Sequence, residues 1–101
     1  MELHWESLSE NRSVSVVAPG MWFELVDRKS VTKYESGDII HYDTYLYLYD
    51  RCNRIQLSTP DQTKDKNKHV SNIEYCKKYA FIIASSFLGS QHPYRDYPRN
   101  L

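Results

Sequence analysis

Hydrophobic and polar residues alternate most regularly between Ile39 and Ser58. Ile40, Tyr42, Thr44, Leu46 and Leu48 fall on one face of an extended strand, and His41, Asp43, Tyr45, Tyr47 and Tyr49 on the other. After Asp50–Asn53 the alternation resumes, with Ile55 and Leu57 on one face and Arg54, Gln56 and Ser58 on the other. This predicts a hairpin with a four-residue turn built on type I geometry. Pairing Leu48 with Ile55 and Leu46 with Leu57 puts all four aliphatic side chains on one side. It also sets Tyr49 opposite Arg54, Tyr47 opposite Gln56 and Tyr45 opposite Ser58. A one-residue slip would reverse the faces, so the register is well specified.

The same period predicts the earlier strands. Residues 1–12 read either as an extended segment, from the alternation of Leu3 and Trp5, or as a short helix over Leu3–Leu8, the extended form being preferred; Ser9–Arg12 reads as a turn and Ser13–Val17 as a strand. Pro19-Gly20 forms a turn, and Met21–Asp27 the return strand. There Met21, Phe23 and Leu25 share one face, and Trp22, Glu24 and Val26 the other. Arg28–Ser30 reads as a polar connection, Val31–Tyr34 as a short strand and Glu35–Asp38 as a turn around Gly37.

The period then changes. Ile73, Cys76, Ala80, Ile83 and Phe87, widened by Tyr79, Ala84 and Leu88, follow the spacing of a buried helical stripe. Ser71 and Glu74 match a capping box, with Val70 and Tyr75 as a hydrophobic staple and Gly89 as the stop. The expected helix runs over about 72–88. Polar residues 59–69, with alternating Lys64, Lys66 and Lys68, read as a mobile solvated loop. Pro93 and Pro98 make residues 90–101 an extended tail. The fold class is α+β: an antiparallel β-meander of four to five strands packed against one C-terminal amphipathic helix.

Length and composition narrow this further. The 101 residues suit one domain, and 41% hydrophobic with 26% charged residues suits a folded one. The formal net charge of zero argues against duplex-DNA binding, which depends on neutralising phosphates. Charge is uneven, however: Glu2, Glu6, Glu10, Glu24 and Asp27 face only Arg12 among residues 1–27. The polar, acidic N-terminus does not resemble a signal peptide, and no run is long enough to span a membrane. Cys52 and Cys76 form no disulfide framework, and the expected setting is cytoplasmic, with both thiols reduced.

Candidate chemistry is sparse. No phosphate loop, catalytic signature or metal-ligand spacing occurs, so neither cofactor nor metal is expected. The sharpest feature is the tyrosine beat. Tyr45, Tyr47 and Tyr49, flanked by His41, Arg51 and Arg54, have the composition of a protein-binding hot spot. The plainer reading is that tyrosine suits strands, with the face covered by Trp5 or by Tyr94 and Tyr97 of the tail. Three functions follow. The first is a non-enzymatic protein binder that occludes its partner, in the manner of immunity proteins and phage-encoded inhibitors. The second is single-stranded nucleic-acid binding on the same face. The third is a small ribonuclease using His41 and Asp43. Another protein is the expected partner, and a homodimer through the tyrosine face or a strand edge is a further one. His4, His69 and His92 fall in polar segments where nothing positions them.

Overall fold

The structure is a computed structural model that describes residues 2–89, with the side chains of 87–89 excepted. Five strands run in chain order: β1 (Glu6–Ser9), β2 (Arg12–Ala18), β3 (Met21–Tyr34), β4 (Gly37–Asp50) and β5 (Asn53–Ser58). A single helix, α1 (Lys66–Gly89), follows. The strands form one antiparallel sheet in the order β1-β2-β3-β4-β5, so each pairs with its neighbour in sequence. This is the expected meander packed against a helix. The tail at 90–101, including Tyr94 and Tyr97, and the side chains of Phe87 and Leu88 lie outside the description.

The core lies between the helix and one face of the sheet. Phe23 and Leu25 of β3 pair directly with Leu48 and Leu46 of β4 and share that face with them. Against them the helix presents Cys76, Ala80 and Ala84, all buried, with Ile73, Tyr79 and Ile83 at the flanks. Small residues at the contact let the helix approach the large sheet side chains closely. Leu3 and Trp5 also pack against this cluster, and Lys77 lies 5.9 Å from the centre of the Trp5 ring. The N-terminal segment therefore reaches the helix side of the sheet.

Four local features differ from expectation. The first is β3, which is continuous over fourteen residues. Arg28–Ser30 contains no breaker, and all fourteen residues pair with β4 without a bulge. Beyond Asp27 the two strands run on as a ribbon to the tip, where Tyr34 pairs with Gly37. The ribbon helps make the molecule elongated, 63 × 23 × 19 Å.

Second, the β4–β5 turn has two residues, with Asp50 paired to Asn53. It closes through Arg51, whose φ of 60° is left-handed and whose N–H donates to the Gly20 carbonyl at 2.7 Å. Gly20, at φ 74°, supplies the facing turn, where a side chain would be strained. Third, the register puts Leu48 opposite Ile55, Tyr49 opposite Arg54 and Tyr47 opposite Gln56, as expected, but then shifts. Leu46 pairs with Ser58, so Leu57 is an extra residue in a bulge and Tyr45 does not face Ser58. Leu57 packs against the core from within the bulge, and Ile55 is half exposed.

Fourth, α1 starts at Lys66, five residues before the expected cap at Ser71. Asp65 is the N-cap: its Oδ1 accepts from the Asn67 N–H at 2.9 Å, and its carbonyl accepts from His69 N–H at 2.9 Å. Thr63 Oγ1 in turn accepts from the Asp65 N–H. Lys66 and Lys68 are good helix formers, so the charged stretch propagates from this cap. Val70 and Tyr75 are both exposed, which excludes the staple. Nor is the preceding segment free. Thr63 exchanges two backbone hydrogen bonds with Tyr42, at 2.8 and 3.1 Å, and Gln62 Nε2 donates to Asp43.

Asp65→Ala should cost about 1 kcal/mol in a urea titration, whereas Ser71→Ala should stay within about 0.5 kcal/mol of wild type. Equal losses would displace the cap. A second test uses Cys76, whose thiol burial pushes up to about 11 from 9.0. The folded chain then keeps a proton that the unfolded chain releases. Stability from this group is complete below about pH 9 and lost as pH rises towards about 11. The midpoint should therefore fall more steeply between about pH 8 and 10.5 in wild type than in Cys76→Ala.

Candidate functional site: the open face of the sheet

The helix covers one face of the sheet, and strand alternation sends every second side chain to the other. On β4 these are Tyr45, Tyr47 and Tyr49, which pair across β3 with Val26, Glu24 and Trp22. β2 adds Val14 and Val16, opposite Glu24 and Trp22. Among the described residues no helix or strand lies over this face. The three tyrosines are half-buried by one another and by their neighbours.

Charge and aromatic contacts organise the surface. Glu24 is only 3% exposed although it points away from the core. Its Oε2 accepts from Arg12 Nε at 2.8 Å and from the Arg12 terminal nitrogen, and its Oε1 accepts from the Tyr49 hydroxyl at 3.1 Å. The carboxylate raises the Arg12 pKa above its ordinary value through that hydrogen bond and through charge attraction. Trp22 stacks on Tyr49 with centroids 5.1 Å apart and planes 8° from parallel. Tyr45 and Tyr47 stack at 6.2 Å. Arg54 lies over the Tyr47 ring at 4.7 Å and Arg28 over Tyr45 at 5.3 Å, each within cation–π range. Arg28 also donates to the Tyr45 hydroxyl at 3.2 Å. Next to the ladder, Leu8, Val14, Val16, Trp22 and Tyr49, with the Arg12–Glu24 pair, line a mostly apolar cleft of about 390 Å³.

Tyr45, Tyr47, Tyr49 and Arg54 thus come together. His41 shares their face but sits on the ribbon opposite Ser30, four residues before Tyr45 and roughly 13 Å away at 3.3 Å per residue. Arg51 sits in the β4–β5 turn, its Cγ beside Gly20. His41 and Asp43 share no hydrogen bond or ion pair, and both oxygens of Asp43 accept from Gln62 at 3.1 Å. Arg12, Trp22, Glu24 and Arg28 were not singled out from the sequence. Their signal was present in the alternation of β3, and became legible only once the β3–β4 register set Trp22 against Tyr49.

A second constellation lies on the helix side, at the base of the ribbon. His69, expected in a flexible segment, is 8% exposed in the first turns of α1. Its Nε2 is 2.7 Å from Asp27 Oδ1, and its ring stacks on Tyr42 at 4.4 Å. With Ser9, Glu10, Asn11 and Lys29 these residues line a polar cleft of about 500 Å³. Nε2 is engaged by Asp27, and Nδ1 is buried without a hydrogen-bond partner. Neither nitrogen is thus presented for proton transfer to a ligand in the cleft. The histidine ties the helix to β3. Among the described residues no cluster of three or more His, Cys, Asp or Glu could hold a metal, and no helix is long and apolar enough to cross a membrane.

No protein-family model matches the chain, and no curated protein or solved structure is significantly similar to it. Function therefore has to be argued from the site.

Removing Arg12 should strand the Glu24 carboxylate, which is enclosed by its neighbours. Arg12→Ala is expected to lower the thermal midpoint, and adding Glu24→Gln should recover part of the loss. Additive losses in the double variant would show that the pair is not coupled.

Proposed function

We propose that this protein is a non-enzymatic binding module that acts by covering a surface of another protein, in the manner of an inhibitor or immunity protein. The observation that carries the reading is the open aromatic face. Trp22 with Tyr49 and Tyr45 with Tyr47 form two stacked pairs on the sheet surface that the helix leaves bare. Rigid aromatic side chains with polar tips give large contact area at low entropic cost, and interface centres are enriched in tyrosine, tryptophan and arginine. The cleft beside Trp22 gives a partner side chain a place to anchor.

The same contacts weigh against single-stranded nucleic acid. Bases stack on free aromatic faces. Here Arg54 and Arg28 already lie over Tyr47 and Tyr45, and Trp22 and Tyr49 occupy each other. Arg12 is neutralised by Glu24, which leaves little net positive charge for phosphate. What the face offers outward is ring edges, hydroxyls and guanidinium groups, which suit protein side chains and backbone.

A folded Tyr45→Ala/Tyr47→Ala variant should bind a partner captured from the native host at least about 30-fold more weakly than wild type, measured with purified components. Unchanged affinity would move the site elsewhere. Anisotropy with single-stranded oligonucleotides at two salt concentrations should show no salt-dependent binding, and such binding would favour nucleic acid instead.

A further inference from the structure

The two edges of the sheet differ. β1, at one edge, has four residues, a bulge between Ser7 and Ser9 and an acidic Glu6. Shortness, bulges and charge are devices that stop one sheet adding to another. β5, at the other edge, has none of them over Asn53–Gln56 beyond Arg54. It carries no proline or lysine, pairs with β4 without irregularity there, and meets no further strand among the described residues. Its backbone is set by the two-residue turn. In such a hairpin Asp50 and Asn53 bond to each other, and the pairs after them alternate. The N–H and C=O of Ile55 therefore point inward to Leu48, and those of Arg54 and Gln56 point off the edge.

Side chains mark the same edge. Ile55 stands beside Leu48 on the helix side of the sheet, yet it is 48% exposed. On α1, Lys77 lies over Trp5, which directly precedes β1. Tyr75 and Tyr79, each two residues from Lys77, and Ile82, five from it, fall on the opposite side of the helix, towards β5. Tyr75 and Ile82 are exposed, and with Lys78 and Tyr79 they line a cleft of about 350 Å³.

We infer that a second copy of the chain pairs with this edge, β5 against β5, antiparallel about a two-fold axis through Ile55. That register is self-complementary. Arg54 stands opposite Gln56 of the second copy, and Gln56 opposite its Arg54, so outward N–H groups meet outward C=O groups in both directions. Between them Ile55 faces its own counterpart in a non-hydrogen-bonded pair, where side chains come closest. The neighbouring registers are worse. A one-residue slip sets outward groups against inward ones. Centring on Arg54 opposes two arginines, and centring on Gln56 brings the Leu57 bulge into the ladder. Arg54 is the one charged residue of β5, and its guanidinium is turned back over the Tyr47 ring at 4.7 Å. The strands thus meet without opposed like charges. A foreign strand would find the same backbone, but the match of Ile55 to itself and of Arg54 to Gln56 favours a second copy. The contact is isologous and uses up both β5 edges, so it closes at two chains. It makes one continuous sheet, with both helices on one surface and both tyrosine faces free on the other.

The test is molar mass by light scattering on size exclusion, over a dilution series of the full chain. Wild type should reach twice the 12.0 kDa of one chain at high micromolar concentration and dissociate on dilution. Ile55→Lys and Ile55→Glu each change one exposed side chain, and each alone should stay folded by circular dichroism and monomeric throughout. An equimolar mixture of the two should dimerise, because position 55 of one copy then meets the opposite charge in the other. Wild type that is monomeric at every concentration overturns the inference, and so does a mixture that stays monomeric. A dimer that survives Ile55→Lys but is lost in Tyr45→Ala/Tyr47→Ala overturns it in favour of the tyrosine face. Association seen only with a captured partner, and lost in Ile55→Lys, overturns it in favour of a foreign strand on β5.

Discussion

The close approach of α1 to the sheet is the constraint on which the rest depends. Cys76, Ala80 and Ala84 are small enough to bring the helix down onto Phe23, Leu25, Leu46 and Leu48, and this contact forms the buried hydrophobic cluster of the described residues. Because side chains alternate along a strand, committing Leu46 and Leu48 to the helix sends Tyr45, Tyr47 and Tyr49 to the opposite surface. The aromatic face is thus fixed by the packing of the core. A larger residue at Ala80 would lift the helix and loosen both faces at once.

The opposite face is not left to solvent unorganised. Glu24 is a carboxylate in a place that would otherwise suit an apolar side chain. Arg12 and the Tyr49 hydroxyl satisfy it, and in doing so fix the ring that stacks on Trp22. A partner meeting this surface would find most side-chain freedom already removed. The ribbon is the contrasting case. Lys33 stands opposite Asp38 and Arg28 opposite Asp43 in its register, while the Val31–Ile40 pair lies open.

Much of this was legible in the chain. The β4–β5 hairpin, its register near the turn and the buried stripe of the helix follow from simple periodicity, because each depends on neighbours in sequence. The features that periodicity missed depend on tertiary partners. Ser71 and Glu74 match a capping pattern, yet Asp65 caps the helix because Thr63 is held against Tyr42 and presents Asp65 at the right place. His69 looked unplaced because Asp27 lies forty-two positions earlier and meets it only across the helix–sheet layer. The bulge at Leu57 is a shift of β5 against β4, which the alternation of β5 alone does not reveal. Arg28–Ser30 looked like a connection because its residues are polar on both faces, as a ribbon exposed on both faces permits.

The strictly sequential strand order also bears on how the chain folds. Every strand pairing joins neighbours, so the sheet can zip from its turns with short loop closures, while docking of α1 onto β3 and β4 and of Leu3 and Trp5 onto the core brings distant residues together. Strand β4 spans two regimes of local stability. Its Leu46 end opens only when the helix leaves, whereas its Ile39 end can fray with the core intact. Along a single strand, amide protons should therefore exchange with solvent on a gradient, slow at the core and fast at the tip.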